Sequence, residues 1–366
     1  MTVHRLIGSP LAAIIFLVTA GTVSAQTQKE LLDELDRTIE EAESYVSAKE
    51  LRIKTIENTL HSRGVSPERQ YRIYGELFDE YQPFNYGKAV ENLDKQMEIA
   101  MLLGDKSKLN DVYLKEAMLN TAAGEFLEAR NDLARVDTTI FTKEQEIAYC
   151  NVQQRFWFDY DENQKGADKS MLRKVAYYRE RLLALADPSS SLSRYVTVRK
   201  YIDEKNFAQA DFINRHSLSR MDPASHDYAN LAYFQARICE SLNRREEMKN
   251  WFIRSAMADI KTATKDNASL FSLADALFKD GDYARAFKYS SFSLEDAIAF
   301  DAKLRQWQIS AILPAVQKSY TDIQQTHQKK TSNMLVAMYV LVFLHKSADG
   351  KLTAGPIWDF DWGVLS

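Results

Sequence analysis

Asp359 and Asp361 stand one residue apart in Gly355-Pro356-Ile357-Trp358-Asp359-Phe360-Asp361-Trp362-Gly363. Two carboxylates so spaced are hard oxygen ligands that suit Mg²⁺. Phosphoryl transfer needs more than a metal site. It needs a phosphate-contacting Lys or Arg, a nucleotide cleft and a catalytic acid. No glycine-rich phosphate loop precedes the pair. The histidines, His4, His61, His216, His226, His327 and His345, include no i, i+4 pair. A helix-borne zinc site of that spacing is therefore not expected. No Gly-x-Ser-x-Gly elbow is present either. Cys150 and Cys239 each follow an apolar, helical-looking stretch. They read as two small core residues, or as a disulfide in an oxidising compartment, and sequence does not fix the pairing. The cluster Arg155-Phe156-Trp157-Phe158-Asp159-Tyr160-Asp161-Glu162 is rich in aromatics and acids. It reads as an interaction patch or as a helix end packed into a larger array. Catalysis is thus not the expected business of the chain, and no catalytic residue or cofactor is assigned.

The elements that would position these residues are helices. The chain has 366 residues, of which 45% are apolar and 27% charged, with 12 Gly and 7 Pro. Scarce Gly and Pro favour long helices over strands and turns. The net charge of −4 leaves no basic stripe for neutralising phosphates, so a nucleic-acid partner is not expected.

A pattern of Gly-x-aromatic-x-x-Ala recurs. Gly124-Glu125-Phe126-x-x-Ala129 and Gly281-Asp282-Tyr283-x-x-Ala286 match in full, while Phe207-x-x-Ala210 and Tyr86-x-x-Ala89 lack the Gly. Asn243-Arg244-Arg245-x-x-Met248 is a degenerate copy. Positions 86, 126, 207, 245 and 283 are separated by steps of 40, 81, 38 and 38. The step of 81 is two units, so a copy near 165 has lost its signature, with its turn at Asn163 to Ala167. Even spacing of this kind marks a helix-turn-helix repeat. The Gly accepts a left-handed turn. The aromatic fills the groove between paired helices, and the Ala admits close packing. Ala117, Ala236 and Ala274 supply small residues in the preceding helices. Helix starts are expected at Ser66-Pro67, at Thr142 with Gln145, and at Asp222-Pro223.

On these residues the chain resembles the tetratricopeptide-repeat family over about 66 to 300, although its period exceeds the usual 34. The segment from Leu294 to Pro314 is similar to a bacterial family of exported repeat proteins. In that family the repeats precede a membrane helix, a coiled coil and often a DNA-binding region, which implies an envelope sensor. The tail, with Asp349-Gly350-Lys351-Leu352, resembles the metal-site motif of the spore-coat-protein-H family of secreted kinases. That likeness implies Asp359 and Asp361 as metal ligands, with Mg and ATP as cofactors.

The expected architecture is all-α, a tetratricopeptide-like solenoid coiled as a right-handed superhelix of about six helix pairs, with a short β-hairpin tail as a possible addition. Residues 1–25 read as a signal peptide with a small-residue cleavage pattern at Val23-Ser24-Ala25. Residues 26–65 form an N-terminal helical hairpin, 66–310 the repeat array, and 311–333 a polar helix. Residues 334–346 form an apolar segment, either a truncated membrane helix or a strand, and 347–366 the kinase-motif-like tail. The run 334–344 is the one segment expected to associate with a membrane. The function that follows is a non-catalytic, exported protein that binds a protein or peptide partner. The alternative is a secreted kinase, or a fragment of one.

Overall fold

The computed structural model describes residues 28–60, 62, 64–164, 169–265, 268–300 and 303–348. The chain divides into two compact units, one ending at Leu313 and the other beginning at Pro314. The described elements are helices. Helix α1 covers 28–40 and α2 covers Ala42–Leu60. Six pairs follow: α3 (Pro67–Tyr81) with α4 (Tyr86–Leu103), α5 (Lys106–Ala123) with α6 (Phe126–Arg135), α7 (Lys143–Asn163) with α8 (Lys169–Leu185), α9 (Ser191–Asp203) with α10 (Phe207–Leu218), α11 (His226–Ser241) with α12 (Arg245–Lys261), and α13 (Ser269–Asp280) with α14 (Tyr283–Phe300). Helix α15 runs Lys303–Ala348, and a short 3₁₀ turn covers Thr138–Ile140. No strand occurs among the described residues. The fold is an all-α helical-repeat solenoid.

The repeat follows from local chemistry. Residues 86, 126, 207, 245 and 283 are each the first residue of the second helix in a pair. In the third pair, α7 ends at Asn163 and α8 begins at Lys169; residues 165–168 of that turn lie outside the described residues. The turn after α5 and the one after α13 put Gly124 (φ 84°) and Gly281 (φ 87°) in the left-handed region. The turns after α9 and α11 place Lys205 (φ 58°) and Asn243 (φ 57°) there instead. All four close with the same bond from the next amide back five residues: Glu125 N–H to Asn120 O at 2.8 Å, Asn206 to Tyr201 at 2.8 Å, Arg244 to Cys239 at 2.8 Å and Asp282 to Leu277 at 3.0 Å. With the bond from each left-handed residue's own amide back three residues, this is the Schellman helix ending. A side chain at such a φ costs about 1 kcal/mol. Lys205→Gly is therefore expected to raise the unfolding free energy by about 1 kcal/mol in urea. Gly281→Ala should lower it by a similar amount, since a Cβ there meets nothing within 4 Å and the cost is backbone alone.

Capping sets the helix starts. Ser66 Oγ accepts from Arg69 N at 3.3 Å ahead of Pro67, and Thr142 forms a reciprocal capping box with Gln145. Asp222-Pro223 does not start a helix, contrary to the sequence expectation. Asp222 Oδ1 instead accepts from Ala224 N at 2.9 Å, and Ser225 caps α11 by accepting from Tyr228 N at 3.2 Å. The Asx turn at 222 precedes a better cap three residues on.

At the N-terminus, one residue, Glu41, separates α1 from α2. A helix hairpin needs a connection of two to five residues. The expected hairpin is thus an interrupted rod. The rod ties the two ends of the array together. Gln28 Nε2 donates to Asn250 Oδ1 at 3.2 Å, and Lys49 Nζ to Thr262 O at 3.4 Å. Asp36 accepts from Arg285 at 3.0 Å, from Lys288 at 3.0 Å and from Tyr289 Oη at 3.2 Å. Asp33 pairs with Arg285 at 2.7 Å. Near α4, Pro83 O accepts from Lys265 N at 2.8 Å, and Tyr86 meets the Phe300 ring edge-on at 6.4 Å. The solenoid therefore curls until its first and last pairs meet, enclosing its concave side.

The expected strand alternative at 334–344 is not what forms: these residues lie within α15, with side chains such as Val340 and Leu344 about half exposed. Their β-branched and aromatic content is a context-dependent preference. The chain arrives at 334 already helical from 303, with a single Pro inside the helix at 314, and extending a helix needs no new nucleus. Among the described residues no helix is long and apolar enough to cross a membrane.

Candidate functional site

The first helices of the third, fourth and fifth pairs, and α12 beside them, each turn one polar stripe inward. Arg155, Asp159 and Glu162 lie on α7, Tyr195 and Arg199 on α9, His226, Asn230 and Tyr233 on α11, and Ser255 and Asp259 on α12. Each set is spaced three or four residues apart, so it occupies one helix face. Together with Phe126, Phe234 and the start of α15 at Trp307, they line a partly open cavity of about 580 Å³.

The stripes are held rigidly. The Arg199 guanidinium lies 3.8 Å from the Phe158 ring and 5.6 Å from the Phe234 ring, while its Nε is 3.5 Å from Asp203. Such stacking fixes the planar group and leaves little entropy to lose on binding. Arg155 Nε pairs with Asp159 at 3.1 Å. Tyr195 packs on Phe234 at 4.9 Å, and Tyr233 on Phe252 at 5.8 Å. Ser255 Oγ, fully buried, donates to Ala229 O at 2.7 Å and lies 2.5 Å from Ser269 Oγ, which locks α11, α12 and α13 at the cavity wall.

A second cavity shares walls with the first, and a third shares walls with the second. One of about 180 Å³ is bounded by Gln82, Met118, Asn151 and Phe300, and shares Arg155, Tyr195, His226 and Asn230 with the large one. One of about 360 Å³ is bounded by Phe78, Leu114, Lys115 and Val152, and shares Gln82, Met118 and Asn151 with the second. In this last cavity burial pushes the Lys115 ammonium below the usual lysine range, against the opposing pull of Asp79 and Asp111. The ammonium sits 5.0 Å from the Phe78 ring and 3.4 Å from Gln96 Oε1. Burial likewise pushes Asp111 up, although Gln145 donates to it at 2.7 Å.

These groups can hold a ligand by hydrogen bonds and ring contacts. Among the described residues no group of three or more His, Cys, Asp or Glu could hold a metal ion. Asp359 and Asp361 lie outside the described residues, as does the segment 1–25. Both cysteines are free thiols in the core, and burial pushes the Cys150 thiol up to about 11.

The repeat positions read from sequence sit in the packing. Ala117, Ala129, Ala210, Ala236, Ala274 and Ala286 are 0% exposed. Gly124 and Gly281 occupy left-handed turns, Phe207 is half-buried against the core, and Tyr283 meets Phe278 edge-on at 5.5 Å. Phe126 does both jobs: it packs edge-on against Phe156 at 6.1 Å and Tyr160 at 5.5 Å, and it lines the large cavity. The aromatic and acidic cluster at 155–162 divides by face. Phe156 and Asp161 are buried, whereas Arg155, Asp159 and Glu162 face the cavity. Tyr195, Arg199, His226, Asn230 and Tyr233 were not singled out by sequence. Their only signal is polar spacing at i, i+3 and i, i+4, which every exposed helix face also shows.

A search of curated proteins returned no match. The family described as the SusR N-terminal TPR domain matches residues 39–311. Domains of the tetratricopeptide type generally mediate protein–protein interactions and act as non-catalytic scaffolds. The match begins in α1, ends in α15, and takes in all six pairs. The chain belongs to the SusR N-terminal TPR domain family.

Proposed function

We propose that this protein is a non-catalytic, cofactor-free receptor that takes a short protein or peptide segment into its enclosed concave side. We further propose that it does so in the cell envelope, exported by residues 1–25, as the input half of a membrane-anchored regulator. The observation that carries the reading is the partly open cavity of about 580 Å³ lined by Arg199, Tyr195, Tyr233 and Trp307. Its volume falls in the range of sites for small ligands, roughly 300 to 1,000 Å³. That favours a short segment over the face of a folded domain. Arg, Tyr and Trp are the side chains on which binding energy concentrates.

The test is selection of a phage-displayed random dodecapeptide library on the full-length chain. Trp307 is 70% exposed, so Trp307→Ala leaves the fold intact while removing part of the cavity wall. Enriched peptides are expected to bind the wild type and to lose about thirtyfold in affinity on Trp307→Ala or Arg199→Ala, the size of a hot-spot truncation. Failure to enrich any peptide, or equal binding to wild type and both variants, would sink the reading.

A further inference from the structure

The cavity of about 360 Å³ is walled by α3, α5 and α7, the first helices of the first three pairs. Lys115 and Asp79 both face it, with opposite charges. Among the described residues they form no ion pair with each other or with any other side chain. The Lys115 ammonium has Gln96 Oε1 at 3.4 Å and the Phe78 ring at 5.0 Å. The Asp79 carboxylate has no hydrogen-bond partner among the described residues. The other carboxylate of the wall, Asp111, is held by Gln145, which donates to it at 2.7 Å and to Ser107 O at 2.8 Å. Opposite charges in contact stabilise each other, which raises an amine and lowers a carboxyl. Here desolvation moves both groups the other way: Lys115 is pushed down and Asp79 up, each against the pull of the other. Each charge therefore lacks a counter-ion at contact distance, and a ligand that supplies one removes that cost.

The arrangement is built, because α3 gives up a side chain to make room for it. Gly75 lies in the interior of α3, where glycine weakens a helix. A Cβ there would stand 2.8 Å from Gln96 Nε2 and 3.6 Å from Lys115 Nζ. Gln96 is 1% exposed and donates to Tyr71 O at 2.7 Å. The absent Cβ thus leaves space for a buried amide that turns its oxygen to the ammonium. Phe78, Leu114, Met118 and Val152 make an apolar remainder of the wall. The volume lies within the range of small-ligand sites, roughly 300 to 1,000 Å³.

A cation, an anion and an apolar wall, with neither charge answered by the protein, complement a small zwitterion with an apolar body. We propose that this cavity is a site for a free apolar α-amino acid, its carboxylate on Lys115, its ammonium on Asp79 and its side chain against Phe78, Leu114 and Val152. Both polar contacts are charge-assisted hydrogen bonds, the stronger class. The site is separate from the peptide reading and stands or falls without it, since the 360 Å³ and 580 Å³ cavities have no lining residue in common.

Isothermal titration calorimetry on the full-length chain tests the site, with L-leucine, L-leucinamide and N-acetyl-L-leucine as probes. L-Leucine is expected to bind once per chain. Leucinamide lacks the carboxylate and N-acetylleucine lacks the ammonium, so each should bind about tenfold more weakly or worse, the effect of one charge-assisted hydrogen bond. Lys115→Met keeps the stem and removes the charge, and Asp79→Asn keeps the shape; each should weaken L-leucine by about tenfold or more. Lys115→Met should leave leucinamide unchanged, and Asp79→Asn should leave N-acetylleucine unchanged, which a misfolded variant would not do. Absence of L-leucine binding at millimolar concentration, equal binding of all the probes, or unchanged L-leucine affinity in both variants overturns the site. The comparison of probes on the wild type is decisive even where a variant fails to fold. A negative result here leaves peptide selection through Trp307 and Arg199 untouched.

Discussion

Tyr289→Ala is expected to destabilise the array by about 4 kcal/mol, the upper part of the range for deleting a buried aromatic side chain. Tyr289 is 0% exposed and is among the largest fully buried side chains of the chain. Its removal leaves a cavity within the last helix pair. It also removes the hydroxyl that donates to Asp36 at 3.2 Å. Burial, together with the Asp36 charge, raises the phenol well above its ordinary range, so the group remains a neutral donor at any working pH. Tyr289→Phe isolates that single bond and should cost about 1 kcal/mol. In an open solenoid each repeat touches only its neighbours, and damage to the last pair stays there. Here α14 also carries α1, so the loss should be felt more than two hundred residues away in sequence. Hydrogen exchange is the measurement. Residues 28–40 should lose protection together with 283–300 in Tyr289→Ala. If α1 stays protected while α14 opens, the two ends are in contact without being energetically tied.

The repeat was legible because its constraints are local. A left-handed turn favours Gly, and the closest helix approach requires Ala, so Gly124, Ala129, Gly281 and Ala286 carry their own explanation. Where a different residue tolerates the same geometry, the signal fades. Lys205 and Asn243 adopt the same φ as the glycines, and Arg245 opens a helix where an aromatic stands in other copies. The Asx turn at Asp222 was mistaken for a cap because both use the same short acceptor, and only the position of the Ser225 bond distinguishes them. The cavity was not legible at all. Which polar stripe of a helix faces inward depends on small rotations between successive pairs, summed around the array. Arg199 and Arg194 are both arginines on α9, yet one is clamped over Phe158 at the cavity wall and the other donates to Ser191 Oγ in its own first turn at 3.1 Å. The closing contacts were equally hidden, since they join α1 to α14 across that same summed curvature.

Those closing contacts should make the array acid-labile at one place. Asp36 is the centre of a charged cluster in which Arg285 and Lys288 face it from α14. Asp33 and Asp282 share Arg285 at 2.7 Å and 3.5 Å, Glu40 lies 3.6 Å from Lys288, and Glu34 lies 3.9 Å from Lys261. Burial pushes the Asp36 carboxyl up, but the hydrogen bonds and charges of Lys288 and Arg285 outweigh it and hold the carboxyl below the usual carboxylate range. A depressed folded value means the carboxylate stabilises the docked state fully above the unfolded value, near pH 4, and that the stabilisation is lost as pH falls through the folded one. Protection of residues 28–40 against hydrogen exchange should therefore fall selectively below about pH 4. It should also weaken in high salt, because the cluster is partly exposed and screened. Asp36→Ala should reproduce the loss at neutral pH, at about 2 kcal/mol, the scale of hydrogen bonds to charged groups. Asp36→Asn keeps the shape and drops the charge, so it should leave α1 docked more weakly but without the acid step. An acid step of equal size in Asp36→Asn would show that another carboxylate controls the closure. Loss of the Asp36 contacts should free α1 from α14 while the first pair stays joined to the last, because Lys265 N still donates to Pro83 O and Tyr86 still packs on Phe300, and neither contact titrates.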